Sequence, residues 1–187
     1  VEPGDRVISV LPSYQQHYSI PESIGAQVDI LHLREENGWL PDLDRLRQLV
    51  KEAGGRVKLI NINNPNNPTG SVMEEPMLRG IVDIAREAGA WLLCDEVYRG
   101  LCHQGDPYTA SVADLYERGI STGSMSKTYS LAGLRLGWIA GPAELHGMLS
   151  RQRDYHVISV GRLDDLLAAV ALESREAISA RNLAICR

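Results

Sequence analysis

Residues 57–95, VKLININNPNNPTGSVMEEPMLRGIVDIAREAGAWLLCD, decide the fold. The opening run at 57–62 is short, apolar and rich in isoleucine, the composition of a strand. A loop of asparagines and prolines follows at 63–70. Residues 74–87 repeat apolar positions with helical spacing, and Gly89 is their stop signal. The run at 91–94 is again apolar and short, a buried strand that ends in the acid pair Asp95-Glu96. A strand, a helix and a second strand joined by short loops predict a parallel pair with the helix on one face. Ligands of such sheets gather at the carboxyl ends of the strands, and there the sequence puts Asn67 and Asp95.

The same alternation extends in both directions. Toward the N-terminus, 6–11 reads as a strand after a Pro-Gly turn, 15–25 as a helix that Pro21 breaks or restarts, and 26–33 as a strand. Residues 38–41 form a turn. Asp42 is an N-cap for a helix to Ala53, with Leu43, Leu46, Leu49 and Val50 on one face, and Gly54-Gly55 ends it. Toward the C-terminus come strands at 120–123 and 135–140, a helix from Pro142 onward, and a helix over 174–187. The expectation is an α/β fold, a three-layer αβα domain built on a mostly parallel sheet. There is no internal repeat and no low-complexity segment.

Composition bounds the function. The chain of 187 residues has the length of one domain, with ordinary apolar and charged content. Nineteen Lys and Arg against 24 Asp and Glu, a net charge of −5 with no basic stripe, argue against a nucleic-acid surface. An anionic ligand stays possible, since one or two arginines in a dry pocket suffice. Cys94, Cys102 and Cys186 have neither metal-type spacing nor an even-numbered framework, so they are read as reduced thiols of a cytoplasmic protein. No apolar run approaches the roughly 18 residues of a membrane helix, and no stretch reads as a signal peptide. Val1-Glu2-Pro3-Gly4-Asp5 lacks an initiator Met and a helix stops at Arg187, so a fragment truncated at both ends is expected.

Four features carry chemistry. Asp95 ends an apolar strand, where a carboxylate is costly unless a cation faces it; a helix cap or an ion-pair partner is the alternative. Tyr98 is either half-buried packing or a phenol that needs a partner. Ser121-Thr122-Gly123-Ser124-Met125-Ser126-Lys127-Thr128 sets hydroxyls around one lysine just after a strand. A desolvated amine there acts as a nucleophile toward a carbonyl, whereas the plain alternative is a polar loop with a solvated lysine. Arg135, eight residues on, suits bidentate phosphate contact or a surface ion pair.

Taken together, Asn66-Asn67-Pro68-Thr69-Gly70, Asp95-Glu96-Val97-Tyr98 and Ser124-Met125-Ser126-Lys127-Thr128-Tyr129-Ser130-Leu131-Ala132-Gly133-Leu134-Arg135-Leu136-Gly137-Trp138 resemble the signature blocks of the class I/II aminotransferases, pyridoxal-phosphate enzymes of fold type I. The blocks come in the family's order, with separations of 28 residues from Asn67 to Asp95, 32 to Lys127 and eight to Arg135. The resemblance covers the whole chain and implies that 1–187 is an incomplete pyridoxal-phosphate-binding large domain. On it, residues from about 174 begin the helix that leads to a small C-terminal domain.

Residue by residue, the resemblance makes Lys127 the lysine that bonds the cofactor aldehyde as an aldimine and later moves the substrate's α proton. Asp95 matches the carboxylate that keeps the pyridine nitrogen protonated, which makes the ring an electron sink. Tyr98 and Asn67 match the donors to the ring's phenolic oxygen. Ser124 and Arg135 match phosphate ligands, with Ser126 as a further one, and Tyr14 falls where family members stack an aromatic on the ring. The implied activity is amino transfer between an L-amino acid and a 2-oxo acid in a homodimer. Alternatives are a lyase of the cystathionine type, an arginine-modifying enzyme of the capreomycidine-synthase type, or the sensor domain of an aminotransferase-like transcription regulator. The family's glycine- or serine-containing phosphate loop and its arginine for the substrate carboxylate have no counterpart here. His17, His32, His103, His146 and His156 form no ligand spacing and are expected to be structural or superficial, and Glu96 structural. Tyr129, Tyr155 and Arg162 are read as site lining or as packing.

Overall fold

The computed structural model describes residues 1–186, so Arg187, the last position of the expected C-terminal helix, lies outside the described residues. Six strands form one sheet: β1 (Arg6–Leu11), β2 (Gln27–His32), β3 (Val57–Asn63), β4 (Trp91–Asp95), β5 (Gly119–Ser124) and β6 (Gly137–Ala140), in the order β2-β1-β3-β4-β5-β6. The first five run parallel, and β6 pairs antiparallel to β5 at the edge. Among the described residues, four helices lie between the strands, α1 (Gln16–Ile24), α2 (Leu43–Glu52), α3 (Glu75–Glu87) and α4 (Val112–Leu115), and three follow β6, α5 (Ala143–Arg153), α6 (Arg162–Glu173) and α7 (Arg175–Ile185). None of the described helices is long and apolar enough to cross a membrane.

Alternation along the strands sorts the two faces of the sheet. Ile8, Val10, Ile60, Ile62, Leu92 and Cys94 point into the main core, against Leu46 and Leu49 of α2, Leu78 and Ile81 of α3, and Val112 of α4. Asp42 caps α2 as expected, its carboxylate accepting from the Asp44 and Arg45 amides. Where β5 passes α4, a Cβ on Gly119 would collide with the Val112 carbonyl, so only glycine permits that approach.

The intervening strand positions include the polar Ser9, Asn61, Asn63 and Asp95, and Ser9 and Asn61 meet α1. Pro21 sits inside α1 and has no N–H to offer the carbonyl four residues back, that of His17. Ser9 Oγ and Asn61 Nδ2 supply the missing donors, each 2.9 Å from the His17 oxygen. The proline thus neither breaks nor restarts the helix; it opens one carbonyl through which α1 is fastened to β1 and β3.

Two expectations need correction. Arg135 does not begin a strand: it follows a 3-10 turn (Ala132–Leu134), with φ of 48° in the left-handed region, and pairing starts only where Ser124 meets Gly137. A run of apolar residues says nothing about register, and here register decides. The helix from Pro142 is also divided, α5 and α6 being separate. In α6 the small residues Ala168 and Ala171 face a second cluster around Met125 and Tyr129, while Leu163, Leu166, Leu167 and Val170 are left exposed.

Candidate functional site

Strand pairing assembles the site's floor. The register sets Asn63 beside Asp95 and Asp95 beside Thr122 at the carboxyl ends of β3, β4 and β5. Asp95 Oδ1 accepts from the Thr122 hydroxyl at 3.1 Å and the Val97 amide at 3.2 Å. Its Oδ2 lies 3.3 Å from His17 Nε2, and the His17 Nδ1 is 2.9 Å from Ser13 Oγ. With 16% of its side chain exposed, the carboxylate is held from three directions and still open on one side.

His17 is the site residue that sequence reading missed. Its spacing suggests a merely structural role, yet its buried imidazole touches Asp95 across 78 residues of chain. A signal did exist: a proline four residues after a histidine frees that histidine's carbonyl for tertiary contacts. His32, His103, His146 and His156 are exposed. Glu96 turns away from Asp95 and is structural: buried, it accepts from the Val112 amide at 3.0 Å at the start of α4. Burial pushes its carboxyl above the usual range, against hydrogen bonds from Ser121, Val112 and Ser111. Tyr129 is buried packing, while Tyr155 and Arg162 are exposed.

The lysine loop is stitched to the turn after β4. The Thr128 hydroxyl is shared between the carbonyls of Val97, at 3.0 Å, and Arg99, at 2.8 Å, the two neighbours of Tyr98. Lys127, next to Thr128 and itself exposed, holds its Nζ 5.9 Å from the centre of the Tyr98 ring, within the range of a weak cation–π attraction. Asn67 is fixed by its backbone amide, which donates to Asn63 Oδ1 at 2.6 Å, while Asn63 Nδ2 donates to the Asp95 carbonyl. Asn67 and Tyr98 together line an open cavity of about 990 Å³.

The remaining expected residues lie around this centre. Ser124 ends β5, and its Oγ accepts from the Ser126 amide at 3.3 Å. Arg135 is exposed, its guanidinium donating to the Ala132 carbonyl at 2.8 Å. Tyr14 stands edge-on to the His17 ring with centroids 6.1 Å apart. The structure therefore places Lys127 over Tyr98, ties Asn67 to the Asp95 backbone through Asn63, connects Tyr14 to Asp95 through His17, and pairs Ser124 with Ser126. It shows no direct link from Arg135 to either serine.

Chemically, the floor offers an anion, the turn a phenol, the β3 loop an amide, and the β5 loop an amine with hydroxyls. Comparison with known proteins agrees with that set. Residues 1–181 match the family described as aminotransferase class I and II. A PLP-dependent aminotransferase from Streptococcus suis has a similar structure, with a TM-score of 0.91 and 48% identity over 97% of this chain and 47% of that one. A capreomycidine synthase from Streptomyces vinaceus is 35% identical over 174 residues, 93% of this chain and 44% of the relative. An LL-diaminopimelate aminotransferase from Desulforudis audaxviator is 36% identical over 165 residues, 86% and 41% of the two. The chain thus spans less than half the length of these relatives. The family match over 1–181 and the structural similarity agree: this chain belongs to the class I and II aminotransferases, a pyridoxal-phosphate-dependent family.

Proposed function

We propose that the full-length protein transfers an amino group between an L-amino acid and a 2-oxo acid, with Lys127 bonding pyridoxal phosphate, and that residues 1–187 form its cofactor-binding domain. One observation carries the reading: the carboxylate fastened by His17, Thr122 and Val97 ends β4, and the lysine amine over Tyr98 lies on the loop after the neighbouring parallel strand β5. The donor set suits the cofactor group by group. Asp95 suits a pyridine N–H, Asn67 and Tyr98 a ring oxygen, Ser124, Ser126 and Arg135 a phosphate, and Lys127 an aldehyde. Tyr14 packs beside this set through His17.

When bound, the cofactor supplies an electron sink for the substrate's α carbon. The chain's residues do the rest. Asp95 keeps the ring nitrogen protonated, since an opposite charge nearby favours the charged form. Tyr98 and Asn67 donate to the ring oxygen and stabilise its negative charge. The amine of Lys127 would serve as base and then as acid, taking the substrate's α proton and holding it for return.

The exposed apolar stripe of α6, at positions 163, 166, 167 and 170, supports burial against further protein in a homodimer, as unpaired patches of this kind mark contact surfaces. Free thiols at Cys94 and Cys102 support a cytoplasmic setting. A second reading keeps the cofactor and changes the outcome to amino-acid modification, favoured by the similarity to a capreomycidine synthase. A donor screen on full-length protein separates the two. A 2-oxo acid formed from the donor, with amination of an added 2-oxo acid, supports transfer; ammonia or a cyclised product without an acceptor overturns it.

A further inference from the structure

Two side chains of α7 are buried, Ser179 and Asn182, and both are polar. Helices ordinarily turn an apolar stripe inward, and a buried polar group persists where it is hydrogen-bonded. Three residues apart, these two share one helix face, and both are engaged. Ser179 Oγ lies 3.1 Å from the Tyr108 hydroxyl. Asn182 Nδ2 donates to the carbonyl of Thr128 at 2.9 Å, and the two residues are 3% and 2% exposed.

Thr128 is the junction. Its carbonyl is held by α7, its hydroxyl by the carbonyls on either side of Tyr98, and its N-terminal neighbour is Lys127. Lys127 is exposed as a residue, so little packing holds its side chain and the aim of its amine depends on the backbone that carries it. That backbone is fixed on one side by the turn after β4 and on the other by Asn182.

We propose that Asn182 is a positioning residue for Lys127: it locks the Thr128 peptide plane and thereby sets the direction of the lysine amine, so that the seating of α7 is transmitted to the site. This rests on the reading of Lys127 as the cofactor-bonding lysine. Without the amide donor, the Thr128 carbonyl is left buried and unpaired, and the peptide plane is free to rotate toward other donors.

The test uses full-length protein loaded with pyridoxal phosphate. Two quantities are followed: the pH midpoint of the bound cofactor's visible band, and the rate at which borohydride captures cofactor on Lys127, mapped by peptide mass with Lys51 and Lys58 in the same digest as references. Asn182→Leu keeps the volume and removes the donor. The expected result is about fivefold slower capture and a midpoint moved by roughly 0.7 unit, the size of one ordinary hydrogen bond. Asn182→Gln restores part of both. Leu78→Ala, in the main core away from α7, lowers the melting temperature and leaves the midpoint in place. Should Asn182→Leu not fold, Asn182→Ser, whose hydroxyl is too short to reach Thr128, gives the same shift. A soluble leucine or serine variant with native midpoint and capture rate overturns the proposal while leaving the role of Lys127 intact. Absence of capture at Lys127 in the native protein overturns both.

Discussion

Replacing Asp95 by asparagine separates the charge of this side chain from its shape. The amide of Asp95→Asn keeps an oxygen for the Thr122 hydroxyl and the Val97 amide, which stand at 3.1 and 3.2 Å from the native carboxylate. Its new NH2 group takes the place of the oxygen 3.3 Å from His17 Nε2. A neutral imidazole accepts there if its Nδ1–H turns to Ser13 Oγ, which is 2.9 Å away. Folding stability should therefore change by less than about 1 kcal/mol, or a few degrees of melting temperature in a protein of this size. The loss falls on the cofactor. An opposite charge beside a titrating nitrogen is worth roughly one to three pKa units, each about 1.4 kcal/mol. A less protonated ring is a weaker electron sink by that amount. Removal of the α proton should then slow by roughly tenfold to a thousandfold, with cofactor retained through Lys127. The assay is single-turnover spectroscopy of full-length protein with an amino donor, beside thermal melts. Turnover within twofold of native refutes the role of the charge. A fall in melting temperature beyond about ten degrees refutes the claim that amide and carboxylate exchange places at little cost.

Further expectations concern the scaffold. Because burial raises the carboxyl of Glu96, the folded state binds a proton more tightly than the unfolded chain. Its contribution is therefore complete at acid pH and is lost as pH rises from the ordinary carboxyl range through the raised value. Glu96→Gln, which still accepts from the Val112 amide, should gain in melting temperature relative to native as pH rises; a difference that shrinks or stays constant contradicts the sign. Glu96→Ala leaves that amide buried and unpaired, and its melts should show a loss of about 1–3 kcal/mol at acid pH that narrows as pH rises. Gly119→Ala drives a Cβ into the Val112 carbonyl and should cost about 1–3 kcal/mol by overpacking, read as a lower denaturation midpoint; an unchanged midpoint contradicts the close approach of α4 to β5.

Local signals carried far in this sequence. Asp42 caps its helix because a side-chain oxygen two and three residues before free amides is a local arrangement. The strands over 57–63 and 91–95 follow from short apolar runs with turn residues on both sides. What escaped depends on three-dimensional pairing. His17 reaches Asp95 only after α1 docks over β1 and β3, which requires Ser9 and Asn61 to meet a carbonyl vacated by Pro21. Arg135 lies outside the strand because β6 is registered on β5 from Gly137, and a periodic reading of one segment contains no partner. Nothing local to Asn182 signals its burial; only the packing of α7 sets it against Thr128. Even α6, with its large residues outward and its alanines inward, inverts what amphipathic periodicity leads one to expect of a surface helix.

Lys127 is proposed to bond the cofactor at a site whose floor is Asp95. Borohydride reduction of full-length protein with pyridoxal phosphate, followed by peptide mapping, tests it most directly. The phosphopyridoxyl mass is expected on the peptide that carries Lys127, and it should disappear together with the visible band in Lys127→Ala. A band and a label that survive that substitution, or a label found on Lys51 or Lys58 instead, would contradict it.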